Sequence, residues 1–560
     1  MPAAPFFFKK IFSAKLSARR LVLILVVFGF LIYANSFPNQ LFWDDQDAIL
    51  NNAYIKDLEN FENFFKENLI AGAGLNSNYW RPLLLITYSL EWRLWRDWAP
   101  GYHFTNAVLH ISAAVALFFL LLKLFKNKSA AFFCALVFLI HPLQTEAVTY
   151  VSGRADPLSA FLVFLGLISY LNKKTRLTLA LFILSLMTKE KNALVFPALI
   201  VLVNLYLFFK QRSLKNRPAG KPSLKRLTQA VALKKIWPYF LVAAVYALLR
   251  KTVLNFSDTF NLYGQPNLYT QSILIRAATF LKILPQYLYL SFLPHNLHME
   301  RLADFNKNFF HLLSLLGLII VAALLTLAFL KRRTKPYLSF AALWFLVTLF
   351  PASGILFPVS GLFYEHYLYL PLIGLFLLLI FLIQDIFSQI KLRPFSLITF
   401  SLIAAAYLGF FSFQTVNRNR VWRDPVTFYN NIIQYNPQSL RVWNNLGMAY
   451  AQDRQYEQAL FAYQKAIQLD QQKKSAPPYH NLGRIYEELN QPQAAISSFE
   501  QAIQIDQRFI FSYFALASLY TREKNYDKAM EILKKAQNIF PKNSSIPIAI
   551  RQVQLKAAKQ

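Results

Sequence analysis

Long apolar runs, separated by short basic or polar segments, dominate the chain as far as Phe413. The first run extends from Leu21 to Tyr33. The others lie at 104–122, 129–141, 157–172, 177–188, 193–209, 236–252, 309–330, 336–350, 366–384 and 395–413. Runs of about 20 apolar residues are typical of transmembrane helices, and the shorter runs must extend into the polar motifs beside them. The pattern predicts an all-α, polytopic membrane domain of about eleven spans.

Segment 272–293 departs from this pattern, because its apolar run carries Arg276 and Lys282 and contains Pro285. We therefore predict that it is interfacial or re-entrant. Every strongly basic block then falls on one side of the membrane, which the positive-inside rule identifies as the cytoplasm. The N-terminus is cytoplasmic on this topology, and an odd number of spans leaves the C-terminus outside. The first run is alternatively a signal peptide, since a basic segment precedes it.

Composition and charge narrow the class further. The 560 residues are 56% hydrophobic, and the formal net charge is +31. The Lys and Arg residues cluster between the apolar runs, where they set the topology, so we predict no nucleic-acid binding. The single cysteine, Cys134, lies inside an apolar run and excludes an internal disulfide framework.

Nearly all of the unusual polar residues fall in the segments predicted to lie outside. These segments are 36–103, 142–156, 189–192, 253–308 and 351–365. The most informative feature in them is the pair Asp44 and Asp45, just beyond the first run. A carboxylate near lipid is costly to keep ionised unless water, a cation or a substrate compensates it, so such residues usually mark a polar cavity. The alternative is a solvated loop after a helix end.

These outer polar residues suit the transfer of a group from a lipid-phosphate donor. Asp44 or Asp45 is a candidate base for an acceptor hydroxyl. Arg81, Arg154 and Lys189 are candidates to neutralise the donor phosphate. Alternatively, the two arginines pair with nearby carboxylates and tie the loops together. Those carboxylates are Asp45, Glu91 and Asp156.

Further polar residues support the predicted site. They are Glu91, His103, His141, Glu146, Asp156, Glu190, Glu365 and His366. The histidines are individually more typical of satisfied helix ends than of ligands. No pair of these residues shows the helical spacing of metal ligands, so we predict no metal, although a divalent cation could bind between the histidines and glutamates.

After Phe413 the apolar runs stop and an internal repeat begins. The motif that starts at Trp443 recurs at Tyr479 and at Tyr513, at intervals of 36 and 34 residues. This is the tetratricopeptide pattern, in which small residues such as Gly447 let two helices approach. The repeats lie near 440–473, 476–509 and 510–543. We predict an α-solenoid whose groove captures an acceptor protein or peptide; the alternative is a purely architectural module.

The motifs and their order resemble one known family. They are Trp43-Asp44-Asp45, Arg81-Pro82-Leu83, Gly101-Tyr102-His103, His141-Pro142, Thr145-Glu146-Ala147-Val148, Ser152-Gly153-Arg154-Ala155-Asp156, Lys189-Glu190, Pro351-Ala352-Ser353 and Glu365-His366, followed by the repeats. This order is similar to that of the transmembrane and tetratricopeptide repeat-containing protein O-mannosyltransferases and their bacterial relatives. The resemblance implies a C-type (GT-C) inverting glycosyltransferase fold and a polyprenyl-phosphate sugar donor. It also implies transfer to Ser or Thr hydroxyls, with an acidic residue of the first outer loop, Asp44 or Asp45, as base.

The chain departs from this family in two respects. Many relatives carry Arg where this chain has Tyr367, so a phosphate-binding cation is either absent or supplied by Arg81, Arg154 or Arg301. The array is also short, which favours a bacterial enzyme in the inner membrane with its repeats in the periplasm. The donor sugar therefore stays open between mannose and another hexose.

Three domains and two competing functions follow from the sequence. We predict a basic N-terminal segment at 1–20, a transmembrane glycosyltransferase domain at 21–415 and a tetratricopeptide repeat domain at 416–560. The competing functions are a ligase for lipid-linked oligosaccharide and a non-catalytic membrane scaffold that recruits proteins through its repeats. Clustered outer Asp, Arg, His and Glu residues favour an enzyme over a scaffold.

Overall fold

The computed structural model describes residues 16–214, 233–256, 267–301, 305, 310–359, 361–390, 394–472 and 474–558. The chain forms two compact units, Met1–Arg423 and Asp424–Gln560, which we call the membrane unit and the repeat unit. Regular structure in the described residues is helical, which confirms the predicted all-α class. Most of the predicted segment 1–20 and parts of the loops at 210–235 and 253–308 lie outside the described residues.

We number helices of eight or more residues in chain order. In the membrane unit they are α1 Ala18–Tyr33, α2 Pro82–Trp95, α3 Ala99–Phe125, α4 Lys128–Ile140, α5 Ala155–Leu171, α6 Thr175–Leu186, α7 Asn192–Leu214, α8 Leu233–Lys251, α9 Ile273–Phe292, α10 Leu312–Lys331, α11 Pro336–Leu349, α12 Pro371–Gln389 and α13 Pro394–Val421. The last helix runs on to Val421, so the unit boundary falls beyond the predicted position at 415.

The helices of the membrane unit are long and apolar. In the described part of the chain, nine helices could cross a membrane by length and composition, and α4 with the bent segment after it would make a tenth. The shorter apolar helix α6 is additional to these. Helices satisfy their backbone hydrogen bonds internally, which is what an apolar bilayer requires. The chain is therefore a multi-pass membrane protein.

Prolines shape the helix ends next to two of the predicted motifs. Pro82 starts α2 directly after Arg81, and Pro142 ends α4 at His141, where the chain bends by 57°. A proline at the first helical position loses no hydrogen bond and disfavours helical geometry in the residue before it. Arg81 and His141 both have non-helical backbones as a result. The two prolines thus place polar side chains where helices meet loops.

Polar residues of the membrane unit collect at its two ends, which α3 connects. Near the start of α3 the carbonyl of Tyr102 accepts from Arg154, and at its other end the carbonyl of Leu124 accepts from Lys210. The second end also holds the basic loops. We call it the basic end and the first the site end, because the first holds the predicted site residues Asp45, Arg154, Lys189 and Glu365.

Helices α1 and α13 finish side by side at the site end. Asn39 Nδ2 donates to the carbonyl of Asn419 at 3.0 Å, and Gln40 N donates to the carbonyl of Arg423 at 2.9 Å. The number of crossings between these two points is therefore even, and α1 makes the total odd. The chain leaves the membrane unit at the end that carries Asp45.

Helix α9 is long and apolar enough to cross a membrane, but both of its flanks contact the site end. Near its start Arg276 Nε donates to the carbonyl of Ile355, in the loop that leads to Glu365. Beyond its end Arg301 pairs with Glu365 at 3.4 Å. Both flanks of this helix therefore contact the same loop at the site end, and the interfacial or re-entrant character of segment 272–293 stays a prediction.

The repeat unit consists of paired helices. They are α14 Pro425–Tyr435, α15 Leu440–Gln452, α16 Tyr456–Leu469, α17 Pro477–Glu488, α18 Pro492–Ile505, α19 Ile510–Arg522, α20 Tyr526–Ile539 and α21 Ser545–Ala557. A Cβ atom on Gly447 would lie 2.5 Å from the Tyr463 ring, so only glycine allows α15 to approach α16 this closely. The three helix pairs from α15 to α20 match the predicted repeats, and α21 covers the last pair with Ile546 and Val553.

We expect the repeat unit and the Asp45 loop to face the same side of the membrane. In a Cys134→Ser background, Lys66→Cys and Lys524→Cys should react with a membrane-impermeant maleimide in intact spheroplasts. Lys173→Cys, on a basic loop, should react only after permeabilisation, because basic loops stay in the cytoplasm. All three positions are exposed. Labelling of 66 and 524 from opposite sides would refute the shared end.

Candidate active site

The loop after α1 presents its two acidic residues differently. Asp44 is exposed, whereas Asp45 is buried with a relative exposure of 1%. Asp45 Oδ1 accepts two hydrogen bonds from Ser152, one from the backbone N at 2.7 Å and one from Oγ at 2.5 Å. Trp43, the residue before this acidic pair, has a φ of 59°, which few residues other than glycine adopt. Strained backbone of this kind clusters at functional sites.

Burial has a direct consequence for the chemistry of Asp45. Burial, together with the neighbouring charge of Asp44, raises the pKa of this carboxyl from 3.8 to about 7, although the hydrogen bonds from Ser152 oppose the rise. A general base works best when its pKa lies near the operating pH. The geometry therefore separates a buried, tuned carboxyl from an exposed one, a distinction that the sequence left open.

Arg154 is fully buried and bound by protein groups. Its guanidinium pairs with Glu91, donates from Nε to Asn106 Oδ1 at 2.6 Å and from Nη2 to the Tyr102 carbonyl at 3.2 Å. The relative exposure of the Arg154 side chain is 0%. Of the two roles that the sequence allowed, the geometry matches the ion pair that ties loops together. The predicted contact of Arg154 with a donor phosphate has no open guanidinium face to support it.

The turn that carries Ser152 and Arg154 packs tightly against the segment after α4. A Cβ atom on Gly153 would lie 2.6 Å from the carbonyl oxygen of Glu146 and 3.0 Å from the Cα of Ala147. Only glycine fits such a close backbone approach. The turn is therefore fixed from both sides, by this packing and by the buried Arg154.

A cluster of three cations and two carboxylates lies beside the turn. Asp156 accepts hydrogen bonds from Lys189 at 2.6 Å and from Lys191 at 3.1 Å. Arg81 forms a bidentate ion pair with Glu190, with N–O distances of 3.1 and 3.0 Å. With Lys189 protonated, the cluster has one positive charge more than it has negative charges. Burial lowers the pKa of Lys189 to about 7, despite the opposing effect of Asp156. This excess charge is suited to an anionic ligand.

Two glutamates, Glu146 and Glu365, form a second cluster of ion pairs and hydrogen bonds at the loop before α12. Glu146 accepts from the backbone N atoms of Glu365 and His366 at 2.8 and 3.1 Å, and its other oxygen meets His366 Nδ1. Glu365 in turn pairs with Arg301 and with Arg418, at 3.4 and 3.5 Å. These contacts join the loops after α4, α9 and α11 to the end of α13.

The groups form one continuous polar cluster at the site end. Tyr88, on α2, lies within electrostatic range of Asp45, Glu91, Arg154 and Arg81. Asp156 lies within range of Arg81 and of His366, which connects the cation cluster to Glu146 and Glu365. The structure thus brings together residues from loops that are far apart in sequence.

One of the predicted supporting residues, His141, has structural contacts instead. His141 Nδ1 accepts from the Leu143 backbone and its Nε2 contacts the carbonyl of Ser291, so it holds a bend and the end of α9. His103 is buried within α3. Among the described residues no three His, Cys, Asp or Glu side chains gather into a group able to hold a metal ion.

Sequence reasoning missed several members of the cluster. Ser152 stood inside a quoted motif and Lys191 inside the outer segment 189–192, but neither was given a role. Arg418 belongs to a basic stretch at the end of the last span, to which the sequence analysis assigned no role in the site. Only the packing of α13 against the site end reveals its contact with Glu365.

Comparisons with known proteins agree with this architecture of a helical membrane unit and a helical repeat unit. Two family models, each described as tetratricopeptide repeat, match residues 438–508 and 486–546. Among solved structures, the crystal structure of MamA protein is 23% identical, with 24% of this chain and 72% of that chain covered. Its TM-score is 0.22, which is too low to define a shared fold.

Curated relatives match both units. The mouse (Mus musculus) protein O-mannosyl-transferase TMTC3 is 26% identical over 478 residues, covering 76% of this chain and 49% of the relative. The human (Homo sapiens) TMTC3 is 25% identical, with the same shares covered. The protein O-mannosyl-transferase F38B6.6 of Caenorhabditis elegans is 24% identical, with shares of 80% and 63%. The chain spans about half the length of the first two relatives.

These matches define the class of protein as a multi-pass membrane protein with tetratricopeptide repeats. More particularly, the chain is similar over about three quarters of its length to the TMTC3 protein O-mannosyl-transferases. The resemblance predicted from the order of the motifs is confirmed.

The buried pair of Arg154 and Glu91 should be a main determinant of stability. Arg154→Met leaves Glu91 charged, buried and unpaired, which should destabilise the protein by about 3–5 kcal/mol. Arg81→Met is the matched control, because its partner Glu190 is 27% exposed and keeps contact with water. Thermal unfolding in detergent compares the two. Equal losses of stability would show that Arg154 has no special structural role.

Proposed function

We propose that the chain is an integral membrane glycosyltransferase. It moves a sugar from a polyprenyl-phosphate donor to Ser or Thr hydroxyls of a protein at the site end. The observation that carries this proposal is the buried Asp45 carboxyl, held by Ser152 with its pKa raised to about 7. The printed names of the curated relatives support the acceptor class, since each is a protein O-mannosyl-transferase.

Asp45 is the general base in this proposal. It removes the proton of the acceptor hydroxyl as that oxygen attacks the anomeric carbon from the side opposite the phosphate, so the configuration inverts. The bond between the anomeric carbon and the phosphate oxygen breaks, and the phosphate leaves on its lipid. Asp44, exposed beside the base, contacts the incoming acceptor.

The cation cluster of Arg81, Lys189 and Lys191 receives the donor phosphate. Its net positive charge stabilises the phosphate as it gains charge in the transition state. Lys189 and Lys191 share Asp156, so a phosphate can take the place of part of their contact with this carboxylate. Arg301, beyond the end of α9, is a further cation at the site end and pairs with Glu365. Arg154 fixes the turn that precedes Asp156 and does not contact the donor.

The repeat unit captures the acceptor in this proposal. Tetratricopeptide arrays bind peptides or helices along their grooves. The chain enters this unit at Arg423, at the end of the membrane unit that carries Asp45. With the basic end in the cytoplasm, the site and the repeats face the periplasm of a bacterium. Mannose and other hexoses are both compatible with this site.

A ligase for lipid-linked oligosaccharide would use the same base and cations with a larger donor cavity. A scaffold would need neither. Incubation of the purified protein with polyprenyl-phosphate hexoses and an acceptor protein, followed by mass spectrometry of glycopeptides, separates the three. A single hexose on Ser or Thr supports the proposal, an oligosaccharide supports the ligase, and no product supports the scaffold.

Asp45→Asn should lower kcat by about 10²–10⁴-fold, because an amide keeps the shape of the side chain but cannot take the proton. Binding of the lipid donor should be unchanged. Asp44→Asn is the matched control at the exposed neighbour and should mainly raise the KM for the acceptor. Near-normal turnover of Asp45→Asn in the glycopeptide assay would remove the catalytic interpretation of this loop.

Removal of residues 438–560 should weaken acceptor use far more than donor binding. The donor cluster belongs to the membrane unit, whereas the removed segment holds the three complete repeats. The expected result is a raised KM for a protein acceptor with unchanged binding of polyprenyl-phosphate hexose. An unchanged rate on the native acceptor would make the repeats an architectural part.

A further inference from the structure

Ser152 directs both of its hydrogen-bond donors at one oxygen of Asp45. The backbone N and the side-chain Oγ lie 2.7 and 2.5 Å from Asp45 Oδ1. Two donors on one carboxylate oxygen favour the charged form of the acid and fix the orientation of its plane. The contact joins the loop after α1 to the turn before α5, across more than a hundred residues of sequence.

We infer that Ser152 is a positioning residue that keeps Asp45 oriented and ionised for proton removal from the acceptor. This inference rests on the function proposed above and assigns Ser152 a separate role within it. In the reaction, the acceptor proton moves to Asp45 while the electron pair of the broken glycosyl bond leaves with the phosphate. Ser152 keeps its own proton throughout and acts only through the carboxylate.

The turn that holds Ser152 is rigid enough for this role. Gly153 packs against the backbone of Glu146 and Ala147, and Arg154 is anchored by Glu91 and Asn106. On the other side of Ser152, the Tyr150 ring stacks on Trp422 at 5.1 Å. Because the residues on both sides of Ser152 are fixed by packing, its two hydrogen-bond donors are preorganised toward Asp45.

Other groups around Asp45 do not replace this contact. The ionisable groups that face it are Asp44 on its own loop, Tyr150 before the turn and Tyr88 on α2. Asp44 carries like charge and opposes ionisation, and the two tyrosines are neutral near pH 7. Besides Ser152, the backbone of Phe42 is the other group that favours the carboxylate. Loss of the Ser152 hydroxyl therefore removes a main support of the charged form.

The test is the pH dependence of kcat/KM for wild type, Ser152→Ala and Ser152→Thr. Asp45 must be ionised to act, so the rate rises with pH, and the wild-type rise should have its midpoint at about 7. Loss of one hydrogen bond to a charged group should move the midpoint upward by about one pH unit in Ser152→Ala. Ser152→Thr keeps the hydroxyl and should restore the wild-type midpoint. Lys189 also titrates near 7, but it is the same in all three proteins.

Ser353→Ala is the matched control, because the Ser353 hydroxyl donates to the Phe350 carbonyl and accepts from the Ile355 backbone N, both within its own turn. Its midpoint should not move. A lower rate at every pH with an unchanged midpoint in Ser152→Ala, or no recovery in Ser152→Thr, would overturn the role of Ser152. Retained activity of Asp45→Asn would instead refute the proposed function itself, so the two failures are distinguishable.

Discussion

The buried ion pair of Arg154 and Glu91 is the constraint on which the rest of the site depends. A guanidinium with no exposed surface must find partners within the protein, because an unpaired buried charge costs several kcal/mol. Once Arg154 is anchored, the short turn around it is fixed. Ser152 then lies against Asp45 on one side, and Asp156 holds Lys189 and Lys191 on the other. The pair therefore fixes the separation between a tuned carboxyl and a cluster of cations.

The charged residues of the membrane unit lie at the ends of the helix bundle and not in its apolar middle. Ten of the thirteen helices of the membrane unit carry no Asp or Glu, and the exceptions are α2 with Glu91, α5 with Asp156 and α12 with Asp385. The polar loops gather at the two ends. The site end combines carboxylates with cations, whereas the basic end combines lysines with backbone carbonyls and Asp385. A charge in the apolar middle would lack these partners. Charged residues thus collect at the two ends for the same reason that Arg154 pairs with Glu91, because a buried charge without a partner is costly.

Much of the fold was predictable from the sequence, since apolar runs identify membrane helices and the period from Trp443 to Tyr479 identifies the repeats. The unusual character of α9 was also visible, in Arg276 and Pro285 within an apolar run. The groups that each charged residue of the site contacts were not predictable from the sequence. Periodicity assigns Arg154 to the outer side but cannot say whether a carboxylate or a phosphate neutralises it. In the same way, adjacent Asp44 and Asp45 are equivalent in sequence, and only the packing of the turn at Ser152 makes one buried and the other exposed.

The proposed donor site can be tested with a structure that contains a non-transferable donor analogue. A suitable analogue is a polyprenyl phosphonate in which carbon replaces the bridging oxygen. We predict that the phosphonate lies against Lys189, Lys191 and Arg81, with the anomeric carbon facing Asp45 and with Arg154 still paired with Glu91. A phosphonate bound at the basic end, or one that displaces Glu91 from Arg154, would contradict it.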